Sequence, residues 1–132
     1  MKKIILDTNF LLIPLQFRVD IFSEFSRICD FKYKLFIFES SIDELKNIMK
    51  NQRGISKKAA QFALKLVKLK NISVIKSKQM DVDSLILSSL NDDTIIATQD
   101  KMLKKRLLEK KISVIMLRQK KYLDLAERKL YK

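Results

Sequence analysis

Histidine is absent from this chain. That one absence excludes imidazole general bases, Ser-His-Asp triads and His-ligated zinc. Glycine occurs once, as Gly54, so neither a Walker A loop nor a GxGxxG turn can be built around a phosphate. Cys29 is the lone cysteine and permits no internal disulfide, which agrees with a reducing compartment. It lies in an apolar-periodic segment with no histidine to activate it, so core packing is expected of it rather than nucleophilic chemistry. The longest apolar run, Phe10 to Leu15, falls far short of the roughly 20 residues of a membrane helix. Met1-Lys2-Lys3 leads into only three apolar residues before Asp7, unlike a signal peptide. A cytoplasmic protein with no membrane partner is expected. Acids are missing over a long stretch as well: from Leu45 to Met80 there is no Asp or Glu, yet ten Lys and Arg. An enzyme of this composition has carboxylates, lysines, hydroxyls and a metal to work with.

What is present fits a single domain spanning residues 1–132, long enough for one core, with 47% apolar residues. The net charge of +13 points to a polyanion as partner, nucleic acid before an anionic surface. Apolar runs over Ile4–Leu6, Leu35–Phe38, Ile72–Ile75, Thr94–Ala97 and Ser113–Met116 read as strands buried on both faces. Helices are expected between them. Asp20 caps one over 21–29, and Ser41-Ile-Asp-Glu44 reads as a capping box opening another. Ser56 caps a third, with Ala59, Phe62, Leu66 and Leu69 as its apolar stripe. A short helix over 83–90 and one ending at Leu108 follow, and Tyr122 to Leu130 reads as a final basic helix. Strands alternating with helices predict an α/β fold, a parallel sheet covered on both sides.

In open sheets of this kind ligands bind beyond the carboxyl ends of the strands, where strand order reverses. Asp7 interrupts an apolar run at the end of the first strand, and Asp100 stands just past the end of the fourth. In the order 3-2-1-4-5 those strands are neighbours. Glu44 and Asp83, each at the start of a helix, bring four acids to one rim. Each alone has a structural explanation as a cap or a helix-dipole partner; together they repel unless a hard cation joins them.

"ILDTNFLL", "SSIDELK", "DVDSLIL" and "TIIATQDKMLKKRL" stand in the order and spacing of the acidic motifs of PIN domains. The chain resembles in particular the archaeal PIN proteins similar to the eukaryotic nuclease of small-subunit rRNA processing, including VapC-like toxins. The resemblance spans roughly residues 4–125. It implies a three-layer α/β/α PIN-like fold with a five-stranded parallel sheet, order 3-2-1-4-5. It also implies a ribonuclease using Mg2+ or Mn2+ and leaving a 5′-phosphate. Carried over by motif, the metal ligands are Asp7, Glu44, Asp83 and Asp100, with Thr8, Asn9 and Thr98 orienting them. The third motif here reads Asp81-Val82-Asp83, where relatives often have adjacent acids. Asp83 is the preferred ligand and Asp81 its supporting neighbour.

RNA is expected on Lys46, Lys50, Arg53 and Lys57, and on Lys104, Lys105, Arg106 and Arg118. The family reading adds a homodimer and an antitoxin or ribosome-assembly partner. The competing reading is a catalytically weak PIN-like module for RNA binding or ribosome assembly.

Overall fold

The computed structural model describes residues 1–77, 82–88 and 90–127. Asp81, and the part of the expected last helix beyond residue 127, lie outside them. Strands β1 (Lys2–Leu6), β2 (Tyr33–Phe38), β3 (Ser73–Ile75), β4 (Thr94–Ala97), β5 (Ser113–Arg118) and β6 (Tyr122–Ala126) form one sheet in the order β3-β2-β1-β4-β5-β6. The first five are parallel and stand as expected. The sixth pairs antiparallel with β5, so Tyr122–Ala126 is a strand and not the helix the basic periodicity suggested. A three-residue connection after Arg118 turns the chain too tightly for anything but a hairpin.

Among the described residues six helices cover the sheet: α1 (Ile13–Gln16), α2 (Ile21–Ile28), α3 (Glu39–Asn51), α4 (Ile55–Leu69), α5 (Val82–Ser88) and α6 (Lys101–Glu109). Alternation along the strands divides the core in two. Ile4 and Leu6 of β1, Ile37 of β2, Ile95 and Ala97 of β4 and Ile115 of β5 face α1–α4. Ile5, Phe38, Ile96 and Val114 face the other way, onto α5 and α6. Because both faces are buried, the strands read as continuous apolar runs, and the three-layer arrangement follows.

Helix starts depart from expectation in two places. Helix α3 begins at Glu39, straight after β2, and Phe38 caps it without a side-chain bond. Ser41 therefore lies inside the helix, fully buried, and no capping box forms. Helix α4 begins at Ile55 behind Gly54, whose φ of 67° only glycine adopts freely, so Ser56 is not its cap. The buried face of α4 is Ala59, Ala60, Ala63, Leu66 and Val67, whereas Phe62 and Leu69 are 38% and 74% exposed. Three alanines let the helix axis approach its neighbours where a row of larger residues would hold it off. Asp20 caps α2 as expected, its Oδ1 accepting from the Phe22 and Ser23 amides. Among the described residues no helix is long and apolar enough to cross a membrane.

The outer edge of β6 is covered by α2. Leu123 N–H donates to Glu24 Oε1 (2.8 Å), and Arg27 Nη2 donates to Leu123 O (2.9 Å). The same two side chains form a bidentate pair, with contacts of 3.0 and 2.9 Å, so a helical ion pair stands in for a seventh strand. The hydrogen bond from Arg27, assisted by that of Leu123, holds the Glu24 carboxyl below its ordinary range. Glu24→Ala is expected to lower unfolding free energy by about 1–2 kcal/mol in urea titrations, with an unchanged slope against urea, because it strips two partners at once.

Candidate metal centre

The register sets the site. Leu6 pairs with Ala97, so the next residues, Asp7 and Thr98, leave the sheet side by side. Asp7 N–H still bonds Ala97 O (2.8 Å), and Thr98 N–H bonds Ile115 O (3.1 Å), so both positions are anchored by the ladder. Thr98 Oγ1 then donates to Asp7 Oδ2 at 2.7 Å, and the Thr8 amide donates to Oδ1 at 2.8 Å. Asp7 is 5% exposed. It also caps the 3-10 turn over Thr8–Leu12, so its structural and its chemical explanations coexist.

Beside it, Thr8 Oγ1 contacts Ser41 Oγ at 2.8 Å and hydrogen-bonds the Glu44 carboxylate. A hydroxyl has one proton. That of Thr8 serves the carboxylate, and that of Ser41 serves the link between the two hydroxyls. Ser41 and Glu44 lie three residues apart and so share a face of α3. Asp100 opens α6 with Oδ1 accepting from the Met102 and Leu103 amides (2.9 and 3.1 Å), while its own amide donates to Thr98 Oγ1 (3.1 Å). Asn9 ties the 3-10 turn to the loop after β4: its Oδ1 accepts from Gln99 N–H (3.1 Å) and its carbonyl from Gln99 Nε2 (2.7 Å).

Asp7, Glu44, Asp83 and Asp100, contributed by four separate segments, line one groove of about 430 Å3 together with Thr8 and Asn9. Leu12, Ile48 and Val82 form its apolar wall. Thr98 stands behind Asp7 rather than in the wall. Sequence reasoning did not assign Gln99 or Ser41 to the site. Ser41 carried a signal, the S-x-x-E spacing, which placed it correctly relative to Glu44 but gave the pair a capping role. Gln99 carried none, since both of its bonds are to Asn9 and one runs through backbone at each end.

The groove is electrostatically costly. Burial above all, with the nearby Asp83 and Glu44 charges adding to it, pushes the Asp7 carboxyl up to about 6 despite the Thr98 and Thr8 bonds. Among the described residues no three acids are gathered tightly enough to make a ready-formed metal cage. Asp7, Glu44 and Asp100 are each held by hydrogen bonds of their own. An all-oxygen donor set without histidine, around an open groove, suits a hard divalent cation that keeps several of its waters, not a dehydrated tetrahedral one.

Of the basic residues expected to meet RNA, Lys104, Lys105 and Arg118 line a cleft of about 1040 Å3 that shares Asp100 with the acidic groove. Arg118 is also paired to Asp124 (3.0 Å). Arg106 is exposed on α6. Lys46 and Lys50 on α3, Arg53 in the following loop and Lys57 on α4 are exposed, but none lines the acidic groove.

A parallel α/β sandwich with carboxylates at its switch point describes a class shared by several nucleases and phosphotransferases. The comparisons narrow it. A family model described as a PIN like domain matches residues 4–120, and the chain belongs to that family. It is 32% identical over 127 residues to Ribonuclease VapC4 of Methanocaldococcus jannaschii, covering 95% of this chain and 97% of that one. Its fold matches the PIN domain endonuclease Utp24 with a TM-score of 0.78 at 21% identity, covering 95% and 91% of the two chains. A domain of a functionally unknown protein from Methanocaldococcus jannaschii matches with a TM-score of 0.59 at 18% identity, over 100% of this chain and 98% of that one. At those identities the two structures speak for the fold alone.

The raised Asp7 carboxyl has a measurable sign. Its folded value of about 6 lies above the 3.8 of the free side chain, so the folded state binds more protons between the two. The contribution to stability is highest below pH 4 and is lost as pH rises through 6, by about 3 kcal/mol at 1.36 kcal/mol per unit. Asp7→Asn removes that loss. In metal-free urea titrations the variant is expected to gain on the wild type by about 1–3 kcal/mol between pH 4.5 and pH 7.5. A constant difference across that range would show that Asp7 is not burdened by charge in the folded state.

Proposed function

We propose that this chain is an endoribonuclease whose active centre is the groove of Asp7, Glu44, Asp83 and Asp100, with Mg2+ or Mn2+ as cofactor. The convergence of four acids on one groove, in a chain of net charge +13, carries this reading. The charges of Asp83 and Glu44 are near enough to act on the Asp7 carboxyl. The relative named a ribonuclease, at 32% identity over nearly the whole of both chains, supports RNA as the substrate.

In this reading Asp7, Glu44, Asp83 and Asp100 hold the cation through oxygen. When bound, such an ion lowers the pKa of a coordinated water and offsets charge building on a phosphate. The protein's own contribution is positional. Thr98 fixes the Asp7 carboxylate by its hydroxyl and the start of α6 by accepting the Asp100 amide. Thr8 orients Glu44, and Ser41 fixes Thr8. Such supporting hydrogen bonds keep ligand oxygens in place when charge arrives. Asp81, outside the described residues, retains its proposed supporting role. Lys104, Lys105 and Arg118 bind the backbone beside the centre, while Lys46, Lys50, Arg53, Lys57 and Arg106 extend the basic surface; contacts of this kind position RNA without reading its sequence.

The VapC-type role is favoured over rRNA processing, because the long-range identity is to VapC4 while Utp24 is a likeness of fold. An antitoxin is then the expected protein partner, with homodimerisation the expected assembly.

The test is cleavage of end-labelled RNA with Mn2+, with Mg2+ and with EDTA. Metal-dependent cutting is expected, falling at least a hundredfold in Asp7→Asn. In Thr98→Val it is expected to fall about 10–100-fold, the usual cost of removing a bond that orients a ligand. Equal cutting by wild type and Asp7→Asn would overturn the site. Tight, salt-sensitive RNA binding without any cutting would favour the module that binds RNA and does not cleave it.

A further inference from the structure

Beside the acidic groove lies a larger cleft, between α6 and the β5–β6 hairpin. Its walls are unlike those of the groove. Phe17, Leu108, Met116, Leu117 and Tyr122 give it an apolar lining with two aromatic rings, and Lys101, Lys104, Lys105, Arg118 and Lys120 surround that lining with charge. Glu109 is the one acid besides Asp100. Tyr122 is 37% exposed, an aromatic left open on a strand that buries its neighbour Leu123. Lys120 Nζ stands 6.0 Å from the centre of the Phe17 ring.

The hairpin that presents Lys120 and Tyr122 is strained. Lys121 N–H bonds Arg118 O (3.0 Å), and the two residues inside that turn, Gln119 and Lys120, have φ of 53° and 56°. Such turns favour Asn-Gly, residues whose backbone takes a positive φ at little cost. Here a long amide and a long cation occupy both positions and line the cleft mouth. Residues kept in an unfavourable conformation at a cavity edge suggest that their side chains are used.

The geometry points to a base-stacking subsite: the cleft receives an unpaired nucleotide flanking the scissile phosphate, with Tyr122 as stacking platform and Lys120 as backbone contact. Rings within a basic cleft are what single-stranded nucleic acid requires, since unstacked bases need a planar apolar surface and phosphates need cations. A duplex keeps its bases inside and cannot offer one to the rings. Asp100, which lines both the cleft and the acidic groove, makes that nucleotide the one adjoining the cleavage point. The stacking inference rests on RNA being the substrate; the place of that nucleotide beside the cleavage point rests also on the acidic groove being the active centre.

Binding in EDTA therefore tests it, by anisotropy of a labelled short RNA in three forms: unpaired, blunt duplex, and unpaired with abasic spacers. The unpaired strand is expected to bind about tenfold more tightly than either of the others. Tyr122→Ala is expected to erase that advantage and leave the abasic strand unaffected, while Tyr122→Phe keeps it. Lys120→Gly is expected to raise the thermal unfolding midpoint, because glycine relieves the turn, and yet to weaken binding. It should also reduce the slope of log affinity against log salt by about 0.7, the value for one phosphate contact on a single strand. Equal binding of duplex and unpaired RNA, or unpaired RNA binding untouched by Tyr122→Ala, overturns the proposal; the latter result would also follow if the cleft seats a protein segment. Absence of cutting in the presence of metal would count against the catalytic reading and leave these outcomes standing.

Discussion

The hydrogen bond from Thr98 to Asp7, across the ends of β1 and β4, is the contact around which the site is arranged. Ladder pairing of Leu6 with Ala97 brings the two residues level, and the apolar core beneath leaves the carboxylate almost no water. A buried carboxylate with two hydrogen bonds is still costly when Asp83 and Glu44 stand near it. The other tethers in the groove follow the same logic. Thr8 holds Glu44, the α6 amides hold Asp100, and Gln99 bridges the two loops that carry Asp7 and Asp100. The fold holds negative charges at a distance they would not choose.

Next to this negative groove lies the basic cleft, and the two share a wall. A polyanion drawn to the cleft meets repulsion as it approaches the groove. Whatever neutralises the groove therefore also favours the polyanion in the cleft, and the reverse holds equally, since coupling of two binding events is reciprocal. The positive excess elsewhere raises encounter rates without choosing a position.

Strand β4 was legible to the residue, because Thr94–Ala97 is buried on both faces and bounded by a turn and a polar exit. That Asp7, Asp83 and Asp100 share one groove was legible because strand ends and helix starts meet at one rim in any sheet of this order, while Glu44 joins them from the second turn of α3. Elements whose identity depends on a distant partner were not. Tyr122-Leu-Asp-Leu fits a period of two as well as one of 3.6, and only pairing with β5 decides between them. The apolar stripe on α4 was misplaced because alanine is a weak signal: Ala60 and Ala63 are fully buried, while the larger Leu69 points to solvent. Ser41 was visible as part of a motif, but its buried position inside α3 depends on where β2 ends. Gln99 was invisible, since nothing in its own neighbourhood announces a bond to Asn9.

The covering of Leu123 by Glu24 and Arg27 bears on how the molecule can assemble. A sheet that grows from copy to copy needs two open borders, one to accept a strand and one to offer it. Here Glu24 and Arg27 occupy the β6 border at Leu123, and among the described residues the opposite border is β3, only three residues long. Addition through β3 can join two copies about a two-fold axis, after which no border remains for a third. Covering Leu123 thus works against fibre growth through β6, although the strands are as apolar as those of many aggregating segments.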